Sequence, residues 1–347
     1  MTAMSRSAAS ISWKRSVADA PDALHGWIVI DKPLGMGSTN VVSWVKRALR
    51  EGGYAKVKVG HGGTLDPLAT GILPVALGEA TKLAGRMLDA SKVYDFTITF
   101  GAQTDSLDLE GQVIAQSDVR PTLAEIEAKL PEFTGPITQI PPAFSALKVD
   151  GKRAYDLARA GEDVVLAGRD VVIHRLQIHE PLSFRGGVWG GVVGAGVNVD
   201  RPHPNPSPEG EGLIEEITLT AYVSKGTYIR SLARDIALAL GTVGHVTMLR
   251  RVKAGPFGLE GAISLDKLDE NAKARSLGEL VLPLRTALDD IPALALEAGQ
   301  AAALRQGRVL SGVAAPDGLH LATLAEVPVA LVDVQQGTVT VERGLNL

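Results

Sequence analysis

Residues 60–71 read GHGGTLDPLATG: one carboxylate, Asp66, set among glycines and followed by Pro67. The proline ring fixes its own φ and pushes Asp66 towards extended backbone, while Gly60, Gly62 and Gly63 permit tight turns and close approach of a ligand. Such a loop presents an acid rigidly. A solvated Asp-Pro turn accounts for Asp66, because Asp bonds its own backbone readily. It does not account for glycine at three of the four positions 60–63, with His61 among them. On these residues alone a functional loop and a structural turn both stand.

The flanking sequence sets the fold class. Upstream, GWIVID (26–31) is a short β-branched strand ended by Lys32 and Pro33. LGMGSTN then supplies a turn and a cap, and Val41, Val42, Trp44, Val45, Ala48 and Leu49 recur at helical spacing until glycine stops them. Downstream, KVYDFTITF (92–100) alternates as a strand, with Tyr94, Phe96, Ile98 and Phe100 on one face. PTLAEIEAKLPEF reads as a helix, and AFSALKVDGKRAYDLARAG as a hairpin turned at Asp150 and Gly151 with a helix after it. AYVSKGTYIRSLARDIALALG is a strand running into a helix closed by Gly241. Strands and helices mixed so irregularly predict an α+β protein with a mixed, mainly antiparallel sheet, not a doubly wound one. From about Ala293 one helical run and short strands (VPVALVDVQ, GTVTVERG) predict a small β-rich C-terminal domain.

These signals divide the chain into a flexible tail (1–24), a large α+β domain (25–290) and a C-terminal domain (291–347). Residues 186–212 are glycine-rich and then place four prolines within 202–208. With strand-like sequence on both sides, they read as a low-complexity loop insertion. The tail lacks the apolar core of a secretory signal; a second reading, an Arg/Ser presequence, is diluted by Asp19 and Asp22.

Composition removes several function classes. A length of 347 residues with 45% hydrophobic and 21% charged residues is globular, and no apolar run is long enough for a membrane span. The absence of cysteine excludes disulfides and thiolate chemistry and fits a reducing compartment, so the expected location is cytoplasmic. His174 and His179 lie on opposite faces of an alternating segment, and no metal site is expected. A net charge of −4 is unlike a general nucleic-acid binder. Local basic groups nonetheless occur at Lys46, Arg47, Arg50, Lys56 and Lys58, and at Arg250, Arg251 and Lys253. They suit solvated faces and an RNA path equally. No P-loop, GxSxG, HExxH or GxGxxG motif stands in the right context.

A further signal comes from resemblance. GHGGTLDPLATGILPVALGEATK strongly resembles the catalytic motif of the tRNA pseudouridine synthase B (TruB) family, which isomerises the uridine at position 55 in the T loop of tRNA. DKPLGMGS, SKVYDFTITFGAQTDSLDLEG, PPAFSALKVDGKRAYDLARAG and KGTYIRSLARDIALALGTVGHVTMLRR resemble further segments of that family in the same order, from about Trp27 to Phe257. The resemblance implies a pseudouridine-synthase core with a PUA-like RNA-binding C-terminal domain. Carried over residue by residue, Asp66 is the essential aspartate, Arg230 its partner and Tyr94 the tyrosine that stacks on the flipped base. It implies that Leu249 packs against the base and that His61 helps hold the T loop. Lys32 and Lys82 become partners of RNA or backbone groups, and Lys148, Lys152 and Arg153 become phosphate contacts on an RNA-gripping insertion. The resemblance also implies the tRNA T arm as partner and, because the isomerisation is internally balanced, no metal or other cofactor; a stand-alone enzyme without guide RNA is expected, and nothing in the sequence asks for more than a monomer.

Overall fold

The computed structural model describes residues 23–179 and 212–347, apart from 146, 150 and 163 and the side chain of Lys148. The tail reading, up to residue 22, and the insertion reading, up to 211, lie outside the described residues.

The expected strand, turn and helix after Gly26 are β1 (Gly26–Lys32) and α1 (Ser38–Glu51). They are followed by β2 (Val59–His61), β3 (Ala69–Leu77), α2 (Ala84–Asp89) and β4 (Lys92–Phe100). The middle of the chain forms β5 (Ala102–Thr104), β6 (Val113–Gln116), α3 (Leu123–Lys129) and β7 (Gly135–Gln139). The small hairpin β8 (Lys148–Val149) and β9 (Lys152–Arg153) leads into α4 (Ala154–Arg159) and β10 (Arg169–Ile178). Next come β11 (Glu216–Val223), α5 (Ile229–Ala239), β12 (Gly244–Ala254), β13 (Phe257–Gly258) and α6 (Leu265–Ala274). The last elements are β14 (Ala293–Ala295), α7 (Ala298–Arg305), β15 (Gly318–Leu324), β16 (Val327–Gln335) and β17 (Thr338–Gly344).

Among the described residues, nine strands form one sheet with the path β1-β3-β12-β4-β11-β10-β7. Every pairing in it is antiparallel except β12 with β3, which places Leu249 beside Ala69 and Arg251 beside Gly71. The α+β, mainly antiparallel expectation describes this sheet. On one face α1 and α6 cover Ile28, Ile30, Leu73 and Val75, and α5 covers Phe96, Ile98 and Leu219. Between these two apolar cores Tyr94 and Leu249 touch both, and the cleft described below opens there. Towards the other face, Thr97 pairs with Thr218 and Thr99 with Thr247 through their hydroxyls.

The C-terminal strands make a second sheet, β14-β15-β16-β17. Its hydrogen bonding is separate, but its apolar surface is not. Leu321, Leu331 and Leu345 are buried in one cluster with Trp27, Ile72 and Phe257 of the larger part. The short strands predicted at 327–335 and after 338 are present, while β14 and β15 lack an equally plain sequence signal. Among the described residues no helix is long and apolar enough to cross a membrane, and no group of three or more His, Asp or Glu side chains is placed to hold a metal ion.

Candidate active site

The 60–71 loop is fixed largely through its backbone. Ser38 Oγ accepts from Leu65 N at 2.8 Å and donates to Leu65 O at 3.0 Å. Pro67 O accepts from Gly35 N at 2.9 Å and from Lys32 Nζ at 3.1 Å. The DKPLGMGS stretch is thus the seat on which the acidic loop rests. Two of the glycines are sterically required. A Cβ on Gly62 would stand 2.7 Å from Met87 Cβ, and Gly71, at φ +97°, lies too close to the Arg251 carbonyl to carry one.

Asp66 leaves this loop towards a cleft of about 570 Å³ whose lining includes Gly63, Tyr94, Ser145, Arg169, Tyr228, Arg230, Leu249 and Arg251. Arg230 stands in the first turn of α5, where a cation opposes the helix dipole and needs other partners. It has them. Its Nη2 lies 3.0 Å from Asp66 Oδ2 and its Nη1 3.3 Å from Asp108 Oδ2. Nη1 also donates to Ser106 O at 2.7 Å and Nη2 to Phe144 O at 2.9 Å. The Arg230 side chain is 6% exposed, whereas the Asp66 side chain is 39% exposed. The acid therefore reaches the cleft while its counter-charge is locked behind it.

The other expected site residues separate into two groups. Tyr94 and Leu249 line the same cleft as Asp66 and Arg230. Lys32 is fully buried and donates to the carbonyls of Pro33, Met36 and Pro67, so its partners are backbone groups beneath the loop. Burial lowers its pKa to about 8, with Asp66 acting in the opposite sense. His61 is outside the cleft lining; its buried Nδ1 has no hydrogen-bond partner among the described residues, and burial followed by Arg251 lowers its pKa. Lys152 and Arg153 are exposed on the small hairpin, and the backbone of Lys148 pairs with that of Arg153. For Lys82, expected to meet RNA or a backbone group, the partner in this fold is a backbone carbonyl. Its ammonium is neutralised by Glu79 at 2.7 Å and donates to Gly344 O at 2.9 Å, against the C-terminal sheet and away from the cleft.

Several participants escape the sequence reading. Asp108 belongs to the quoted TDSLDLEG run without standing out in it, and Ser38 reads only as a cap. Tyr228, Arg169 and Lys92 carry no separate signal, although Arg169 lies 5.9 Å from the Tyr228 ring and both line the cleft. Burial raises the pKa of Tyr228 and lowers that of Lys92 to about 8.

The same architecture occurs in solved structures. The chain superposes on a chain in the structure of an H/ACA RNP bound to a substrate RNA containing 2′-deoxyuridine with a TM-score of 0.64 at 23% identity, covering 93% of this chain and 86% of that one. A Cbf5-Nop10-Gar1 complex gives 0.62 at 25% identity, with 93% and 84% covered. The N-terminal domain of the TruB family of pseudouridylate synthases matches residues 49–184, and the tRNA pseudouridylate synthase B C-terminal domain matches residues 230–289. A mixed sheet with an arginine-held carboxylate in its cleft is, on these matches, the core of a pseudouridine synthase. The chain is 59% identical to tRNA pseudouridine synthase B of Novosphingobium aromaticivorans over 93% of its length and 98% of that protein's. It is 54% identical to the protein of the same name from Zymomonas mobilis, over 94% and 97%. The chain belongs to the TruB family of pseudouridine synthases.

Proposed function

We propose that the protein converts the uridine at position 55 in the T loop of tRNA to pseudouridine, as a monomer without guide RNA, cofactor or metal. One observation carries the reading: a half-exposed Asp66 held by the buried Arg230 at 3.0 Å, in a cleft flanked by Tyr94 and Leu249. Near-complete matching to proteins named tRNA pseudouridine synthase B supports tRNA as the substrate. The target must leave its stack, because C1′ and C5 cannot both be reached inside a folded loop.

Arg230 pairs with the Asp66 carboxylate at 3.0 Å, beside an apolar base site. That carboxylate promotes cleavage of the C1′–N1 bond, either as a nucleophile or as a base on the sugar. The freed uracil turns between Tyr94 and Leu249 and rejoins C1′ through C5. The C5 proton then leaves, with Tyr94 as its acceptor or relay, and N1 gains one. Atoms and electrons balance within the substrate, so the step needs no redox partner.

His61 and Lys32 act through the T-loop seat and the Asp66 loop, and Lys148, Lys152 and Arg153 meet phosphate, which fixes position more than identity. Residues 25–290 are the catalytic part and residues 291–347 an RNA-binding part of PUA type. The cytoplasm, where tRNA is available, is the expected location. Mapping pseudouridine by carbodiimide-blocked primer extension on unmodified tRNA tests the position. A stop assigning modification to position 55 supports the proposal, and modification at another tRNA position instead refutes that specificity.

A further inference from the structure

Arg251 is 1% exposed and, among the described residues, forms no ion pair. Its donors go instead to uncharged oxygens: Nε to Ile72 O at 2.7 Å, Nη2 to Gly63 O at 3.1 Å and Nη1 to Thr64 O at 3.3 Å. Nη1 also lies 3.5 Å from Tyr94 Oη, a long contact in which the phenol oxygen accepts. A buried guanidinium without a carboxylate is costly and persists where something else is gained. The strand pairings show what it connects. On β12 Arg251 stands beside Gly71 of β3, at the end of the Asp66 loop, and opposite Tyr94 of β4.

We propose that Arg251 is a positioning residue for the isomerisation, fixing the Gly63–Thr64 backbone that leads to Asp66 in register with the Tyr94 phenol across one uracil. This rests on the roles given to Asp66 and Tyr94 above. The planar fork matters: two successive carbonyls and a phenol are reached by one rigid group, which the compact ammonium of a lysine cannot reproduce. The same guanidinium lies 3.5 Å from the oxygen of Tyr94, which lines the cleft with Asp66. Lys32, donating to Pro67 O, holds the far side of the same loop, so Asp66 sits between two buried cationic anchors.

The test begins with wild type and Asp66→Asn, which settle the underlying reading by themselves. Arg251→Lys is then compared in single-turnover rate per folded molecule, tRNA Kd and Tm. A rate about 100-fold below wild type with a Kd within about twofold is expected, as for a catalytic group displaced by about 1 Å. Combined with Tyr94→Phe, the loss should be smaller than the product of the two single losses, because both act on one geometry. Added guanidinium ion should restore part of the rate to Arg251→Ala. A rate per folded molecule for Arg251→Lys within about threefold of wild type overturns the proposal. So does independence from Tyr94→Phe.

Discussion

The 60–71 loop and the hairpin of β8 and β9 both belong to segments that border the cleft, and they are held in opposite ways. The loop has its carbonyls at 63, 64 and 67 bonded to buried cations and its Leu65 backbone bonded twice to Ser38. The hairpin has two-residue strands, an exposed Lys152 and an exposed Arg153, with Phe144 and Tyr155 meeting edge to face at 6.3 Å beside it. Chemistry needs its groups in place before the substrate arrives. A phosphate grip needs charge and reach. Under the proposed function, the contrast gives rate to the loop and affinity to the hairpin.

Changes on each side can break that assignment. Arg230→Lys leaves a charge near Asp66 but loses the fork that also serves Asp108, Ser106 O and Phe144 O, and should lower the single-turnover rate by about 10²–10³-fold at little cost in tRNA Kd. Loss of binding without loss of rate there would place grip on the wrong side. The pair Lys152→Ala with Arg153→Ala should weaken tRNA binding and reduce the slope of log Kd against log salt by roughly one for each phosphate left without its cation, with the saturated rate near wild type. An unchanged salt slope would remove the hairpin from the RNA path.

The smallest expected effect is one of pH. Burial lowers Lys32 and Lys92 from 10.5 to about 8. Through that window the folded protein sheds protons that the unfolded chain still holds, so stability rises with pH. Activity should move the other way, because a neutral amine has only two hydrogens for the three carbonyls that Lys32 holds. A pH–rate profile should fall with an apparent pKa near 8 while Tm does not fall with it. A parallel drop in both would mean unfolding, not a loosened loop.

Much of this is legible in the sequence. Alternation places Phe96, Ile98 and Phe100 together in β4, and helical spacing finds the buried face of α1, because each periodicity faces a single core. Trp44 is only partly buried, since its indole nitrogen reaches out to Asp269 at 2.9 Å. β3 is disguised by Pro74 in its interior, a residue that argues against a central strand. Asp66 stands out locally among its glycines and Arg230 only through a resemblance; nothing local says that residues so distant in sequence meet at 3.0 Å. Arg251 is legible only as one of several basic residues. A strand reading of β12 puts it on the face of Leu249, which is where it lies. Lys82 pairs with its neighbour Glu79 and with the carbonyl of the distant Gly344, a partner that no local signal names.

The central claim is that one carboxylate in a prebuilt loop performs the isomerisation. Its most direct test is tritium release from C5-labelled uridine in unmodified tRNA, comparing purified wild type with Asp66→Asn alongside their tRNA Kd values. The account predicts release by wild type with no added cofactor or guide, no release by Asp66→Asn, and similar Kd for both. Release by Asp66→Asn at the wild-type rate would contradict it.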